Sequence, residues 1–377
     1  MLYNYIYNYI LKEEKHKIMD YFNSYVSNSL APSSNQSYFV GNGKPIVARS
    51  FYKVFKGGKY EYSFLFSNQI YSTFADGSYS QVNLECDKWE ILSLKALLVD
   101  SKTRDFSNPK IIREYQLTFD GRMAKIMEIK GEIYTDGIVI EADKNDYICL
   151  EMELVGEGKI PYFEEILIPA FTLNEEEKWV QNNKIPLANM IGIKREVSKK
   201  VGFLGDSITE GCGTENNSYD AWCAKIAEKS SEDNSYWNLG IGYGRADDIA
   251  TDGIWLNRAK NLDICTVCIG VNDICQGFKP EKVKKNIKKI VDILTDNGTE
   301  VILFTVPPFD WEGEKIEKWQ EVNDFIVEKL AKRVKIFDTV SIWGQDAPST
   351  NLSKYGGHPN AEGCLALAKE FVEKKFF

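Results

Sequence analysis

Four short segments of this 377-residue chain contain residue types that can move protons and stabilise developing charge. The first, Gly205-Asp206-Ser207-Ile208-Thr209-Glu210-Gly211, follows the apolar run Lys200–Leu204 directly. A serine at a strand-to-helix turn can hold its hydroxyl exposed above a sheet, and a helix N-terminus there favours developing negative charge. The second is Asn238-Leu239-Gly240-Ile241-Gly242-Tyr243-Gly244, whose glycines let the backbone approach a ligand and aim an N–H at it. The third, Gly270-Val271-Asn272-Asp273, offers a side-chain amide donor. The fourth, Gly356-Gly357-His358-Pro359, carries one of only two histidines; the other is His16, so a histidine base in the second half of the chain must be His358. Taken singly these are a turn, tight packing, a helix cap and a solvated histidine. Their conjunction carries the chemistry. A serine hydroxyl becomes a nucleophile when a base accepts its proton, and the resulting oxyanion needs prearranged donors.

These segments need a scaffold that ends them side by side. After residue 196 the pattern alternates strand and helix. Strands are expected at 200–204, 235–239, 264–269, 301–306 and 334–337. Tyr219, Trp222, Cys223, Ile226 and Ala227 form a helical stripe. Pro280 opens a helix carrying Val283, Ile287, Ile290 and Leu294 on one face, and Gly298 closes it. Helices follow over 314–332 and after Pro359. Nearly continuous apolar strands joined by helices specify a buried parallel sheet in an α/β layer structure, where ligands bind at the C-terminal strand edge. From about 38 to 171 the pattern is short alternating runs, such as Tyr60–Phe66, Ile91–Val99 and Tyr147–Leu154, separated by turn chemistry such as Lys-Gly-Gly-Lys. That predicts an all-β, jelly-roll-like sandwich. The expected organisation is an N-terminal appendage over 1–36, the sandwich over 37–196 with a polar linker at 172–196, and the α/β domain over 197–377. Trp89, Tyr115 and Tyr134 read as core rather than as sugar platforms.

Composition narrows the partners. Lys and Arg number 46 against 55 Asp and Glu, a net charge of −9, without a basic block to attract nucleic acid or anionic lipid. No apolar run reaches the roughly 18–20 residues of a membrane-spanning helix, so no membrane is expected. The first ten residues are apolar but lack a basic start and a small-residue cleavage site, which favours an appendage, or a start at Met19, over export. The eight cysteines read as small buried hydrophobes in a cytoplasmic protein. Cys265 and Cys268 lie three apart in a strand and point to opposite faces, so they form neither a redox pair nor a metal clip. With two histidines, a zinc site is not expected. A nucleotide-binding reading of the glycines meets Gly-x-Gly-x-Gly spacing instead of GxGxxG, and no Walker motif occurs.

The order of the four segments resembles the SGNH hydrolases, also called the GDSL esterase/lipase family. Gly-Asp-Ser207-Ile-Thr-Glu-Gly matches the first block of that family, Gly-Val-Asn272-Asp the third and His358-Pro-Asn-Ala-Glu-Gly the last. In the glycine block Gly242 fits best and Gly244 remains open. The resemblance covers about 198–377 and implies a three-layer, flavodoxin-like α/β/α domain. It implies an esterase using Ser207 as nucleophile and His358 as base, with Ser207 N–H, Gly242 N–H and the Asn272 side chain as oxyanion donors, and neither cofactor nor metal. The substrate implied is a small-molecule or oligosaccharide ester with a short acyl group, acetyl on carbohydrate included, since the sandwich resembles the β-domains of carbohydrate-deacetylating members. One position departs from the family. An aspartate ordinarily stands three residues before the histidine, and here that residue is Tyr355. Asp346 or Asp338 reaching in from elsewhere, a Ser–His dyad oriented by a backbone carbonyl, and a degenerate sugar-binding protein are the readings left open. All four blocks lie within 197–377, so that segment is expected to hold the whole constellation.

Overall fold

A computed structural model of the chain describes residues 18–73, 81–163, 168–344 and 351–377. Residues 1–17, to which the readings of the first ten residues apply, and Asp346 lie outside the described residues.

Among the described residues the N-terminal half has two large antiparallel sheets and a two-stranded ribbon, Gln69–Thr73 with Gln81–Glu85. In one, Gly58–Ser67 is central, pairing with Met190–Ile193, Glu132–Tyr134 and Ile138–Ala142, while Val26–Ser27 extends the sheet on Met190–Ile193. In the other, the long strand Tyr147–Tyr162 pairs with Ile46–Lys53, Trp89–Val99 and Ser37–Asn42. Alternation decides what each face meets. Tyr62, Phe64 and Phe66 share a core cluster with Ile91, Leu94, Ile148 and Leu150 of the second sheet. Leu65, on the opposite face of the same strand, joins the core of the C-terminal half. Trp89 is core, buried with its Nε1 donating to Asn68 Oδ1 at 2.8 Å, while Tyr134 is half-buried and packs against the core on Tyr21 at 4.9 Å.

The C-terminal half is a five-stranded parallel sheet ordered Ser235–Gly240, Lys200–Gly205, Ile264–Cys268, Glu300–Phe304, Lys335–Phe337. In chain order that is 2-1-3-4-5, the doubly wound arrangement in which a crevice opens between the first and third strands. Helices Trp222–Lys229 and Ala361–Glu373 pack together, as do Pro280–Asp296 and Glu314–Lys329. Val283, Ile287, Ile290 and Leu294 are fully buried, and Gly298 ends their helix at φ 91°.

Three expectations change. Tyr219 is not in the helical stripe: the helix begins at Trp222, and Tyr219 sits at φ 58° with its hydroxyl accepting from Lys53 N–H at 3.0 Å. The stretch 172–196 is more than a linker. Its polar first part still forms a strand at Trp179–Gln181, and its end, Met190–Ile193, is a buried strand beside Gly58–Ser67. Four residues of strand are too few to announce themselves in a polar window. The appendage expected over 1–36 is integrated from residue 18 onward. A helix covers 18–24. Tyr21 donates to Ser63 O at 2.9 Å, and Phe22 lies 5.8 Å from the Trp237 ring. Residues 18–36 thereby line the seam between the two halves.

Candidate active site

The register of the parallel sheet ends Gly205 level with Gly240 on one side and Cys268 on the other. The segments after these strands therefore emerge together. Close approach is enforced by glycine here: a Cβ on Gly205 would lie 2.2 Å from Cys268 O, and one on Gly240 2.2 Å from Glu210 N.

Ser207 opens the one-turn helix Ser207–Glu210. Asp206 caps it, its Oδ1 accepting from Ile208 N–H at 3.1 Å, and so braces the turn. Ser207 is partly exposed, and its Oγ lies 2.8 Å from His358 Nε2, a contact spanning 151 residues. His358 belongs to a two-stranded antiparallel ribbon, Ser353–Tyr355 with His358–Pro359. The ribbon's turn places the Tyr355 carbonyl 3.2 Å from His358 Nδ1. Phe309 stands edge-on to the imidazole at 5.2 Å, and the exposed Tyr355 ring lies 4.5 Å from it. Asp338 is engaged elsewhere: its Oδ1 accepts from Thr305 Oγ1 and from Val340 N–H, both at 3.1 Å.

Asn272 lies on the short helix Val271–Cys275 and donates from Nδ2 to Gly244 O at 2.9 Å, which joins it to the glycine loop. In that loop Gly244 N–H donates to Ile241 O at 3.1 Å. The loop is tied down further by Asp273, which accepts from Ala246 N–H at 2.8 Å and Asp247 N–H at 3.2 Å. Ser207, His358, Asn272 and the Gly242–Gly244 loop are thus gathered at one sheet edge. Three neighbours escaped the sequence reading. Tyr243, at φ 59°, is a single residue among the glycines of the second segment, Phe309 lies in an unremarked loop, and Gln36, which donates to Gly242 O at 2.9 Å, lies 206 residues away. The four expected blocks all lie within 197–377, and Gln36 reaches their glycine loop from outside that segment. Among the described residues, no group of three or more His, Cys, Asp or Glu side chains is placed to hold a metal ion.

Comparison with known proteins is consistent in kind. Residues 203–365 match the GDSL-like lipase/acylhydrolase family model. Among solved structures the chain is similar to a lipolytic protein of the G-D-S-L family from Desulfitobacterium hafniense, at 20% identity over 46% of this chain and 98% of that one, TM-score 0.40. It is similar to the acetyl xylan esterase AlAXEase at 20% identity over 46% and 98%, TM-score 0.39. It is also similar to an acetylxylan esterase from Geobacillus stearothermophilus, at 18% identity over 48% and 95%, TM-score 0.39. No curated protein sequence matches the chain.

Two carboxyls beneath the site are held away from water. Burial pushes Asp206 up to about 7, aided by the nearby Asp273 charge, and burial likewise pushes Asp273 up to about 7. Asp206 Oδ2 is buried without a hydrogen-bond partner in the protein, as suits a protonated carboxyl. Between the ordinary aspartate range near 4 and about 7, the folded protein keeps protons that the unfolded chain has released. Stability from these groups is therefore fully present below that window and falls as pH rises through it. Asp206→Asn keeps the cap acceptor and removes the titration. Urea denaturation from pH 4 to 8 should show the wild type losing a few kcal/mol across this window, at up to about 1.4 kcal/mol per pH unit for each group, and the variant losing visibly less. Equal slopes would mean that Asp206 stays ionised.

Proposed function

Because the C-terminal half carries a GDSL-like lipase/acylhydrolase domain and the chain is accordingly a carboxylic ester hydrolase, we propose that it works through an acyl-enzyme on Ser207. The observation that carries this reading is the 2.8 Å contact between Ser207 Oγ and His358 Nε2. Ser207 Oγ attacks the ester carbonyl carbon while His358 Nε2 takes its proton, then returns that proton to the departing alcohol. Water, deprotonated by His358, attacks the acyl carbon; the C–Oγ bond breaks, His358 returns the proton to Ser207 Oγ, and the acid leaves. The oxyanion is received by Ser207 N–H, Gly242 N–H and Asn272 Nδ2, whose second amide hydrogen remains for it once Gly244 O has taken the first. Gly242 is preferred to Gly244 because the Gly244 amide is used in closing the turn.

For the base we propose a dyad. Tyr355 O accepts from His358 Nδ1–H, which selects the tautomer that leaves Nε2 free to accept the serine proton. Activity should fall in acid as His358 takes up a second proton. For the substrate we propose short acyl esters, acetyl groups on carbohydrate among them. Phe309 crowds the imidazole on one side, and the exposed Tyr243 and Tyr355 flank the site with rings able to stack on a sugar. A degenerate sugar-binding protein has the Ser207–His358 contact against it. We read the two antiparallel sheets as a jelly-roll-like sandwich and 197–377 as the hydrolase domain. Seven of the eight cysteines are buried as small apolar side chains, which fits a reducing compartment such as the cytoplasm.

Ser207→Ala should lower p-nitrophenyl acetate turnover by about 10⁴-fold or more with an unchanged melting temperature, and a fluorophosphonate should label the wild type at Ser207 alone. A well-folded, fully active variant would refute the nucleophile. Asn272→Ala should reduce kcat by roughly 10²-fold with KM nearly constant. A raised KM at constant kcat would instead make Asn272 a substrate-binding group. Asp338→Asn should change kcat by less than about tenfold, whereas a loss near 10⁴-fold would identify Asp338 as a third triad member and end the dyad reading.

A further inference from the structure

The glycine loop is held from the opposite end of the chain. Gln36, fully buried, donates from Nε2 to Gly242 O at 2.9 Å. A carbonyl only accepts, so the amide nitrogen is the group that must face it. The turn Ile241–Gly244 has its third residue, Tyr243, at φ 59°, the region a type II turn requires there and glycine usually fills. A tyrosine in that region costs about 1 kcal/mol or more, so the central peptide needs an outside restraint to stay so oriented. Gln36 is that restraint. The C=O and N–H of a trans peptide point in opposite directions, so fixing Gly242 O toward the buried Gln36 fixes Tyr243 N–H away from it and pins Gly242, whose own N–H is the proposed oxyanion donor. Gly242 itself is shaped for this contact: a Cβ there would lie 2.7 Å from Gln36 Nε2 and 3.0 Å from Glu210 Oε2.

Gln36 is in turn anchored to the antiparallel half. Its own N–H donates to Tyr162 O at 3.1 Å, and the preceding Asn35 donates from Nδ2 to Ser67 O and Gln69 O, both at 2.8 Å. Ser33 Oγ donates to Asn238 O at 3.0 Å, so the same segment also grips the strand that leads into the loop. The segment 33–36 therefore ties the two halves together, and within it the contact to the glycine loop itself is that of Gln36.

We propose that Gln36 is a positioning residue of the esterase, setting the conformation of the Gly242–Tyr243 peptide from outside the hydrolase domain. This rests on the acyl-enzyme reading above. The test compares wild type, Gln36→Leu, Gln36→Glu and Ser33→Ala on p-nitrophenyl acetate, with methylboronic acid as a tetrahedral mimic. Gln36→Glu is nearly the same size but sets a carboxylate against the carbonyl, so it carries the test if the leucine variant fails to fold. Both Gln36 variants should lose roughly tenfold or more in kcat with KM within about twofold, and methylboronic acid affinity should fall in parallel. Ser33→Ala loosens the same segment without touching Gly242 O and should lower the melting temperature while keeping kcat. Wild-type kcat in a Gln36 variant, or an equal kcat loss in Ser33→Ala, would overturn the positioning role while Ser207-dependent turnover left the esterase reading standing. Absence of Ser207-dependent turnover in the wild type would overturn both.

Discussion

The constraint on which the site depends is the parallel register that ends Gly205, Gly240 and Cys268 side by side. A parallel sheet forces each connection to cross over, so residues tens of positions apart in sequence return to the same edge. Side chains at positions 205 and 240 would drive the first strand from its neighbour and from the turn at Ser207, since their Cβ atoms would fall 2.2 Å from backbone atoms. Glycine at these two points is thus part of the chemistry. It sets how near the serine turn and the glycine loop can come.

Within that frame the unusual element is the base. A carboxylate behind an imidazole both orients the ring and offsets the charge it acquires when it takes a proton. The Tyr355 carbonyl at 3.2 Å can do the first and supplies only a partial charge toward the second. The aromatic neighbours, Phe309 edge-on and Tyr355 face-near, restrict the ring mechanically. Such a site should depend more on rigid packing of the ribbon Ser353–Pro359 than one with an ion pair beneath its histidine.

Elements with strong, long periodicity could be read from residues alone. The stripe Val283, Ile287, Ile290, Leu294 between Pro280 and Gly298 is one, because a buried helix face repeats over several turns and both ends carry their own punctuation. The Gly-Asp-Ser207 and His358 segments could be placed at strand ends for the same reason. Tyr219 reads as helical because a half-buried aromatic one turn before Trp222 satisfies helical spacing equally well whether it packs from a helix or from a left-handed turn. Met190–Ile193 was hidden in a polar stretch because four strand residues carry too little pattern, although the neighbouring strand buries them completely. Residues 18–36 were set aside because nothing local shows what Tyr21, Phe22 or Gln36 will meet.

That last omission has the widest consequence. Four motif blocks within 197–377 suggest a self-sufficient catalytic unit, yet the edge strand Ser235–Gly240 has one neighbour in its sheet and leans on the N-terminal half for its other contacts. Trp237 Nε1 donates to Ser33 Oγ at 2.8 Å and to Asn189 O at 3.2 Å, and Asn238 O accepts from Ser33. Leu65, Tyr71 and Met190 from the antiparallel half belong to the same buried cluster as Phe203, Leu204 and Leu239. Where two halves share a core they unfold as coupled units, and a loop that borrows its restraint across the seam is only as ordered as that seam. The glycine loop borrows in this way through Gln36. The antiparallel half therefore helps to hold the glycine loop, and its removal would strip Gly242 O of the buried hydrogen bond that Gln36 donates.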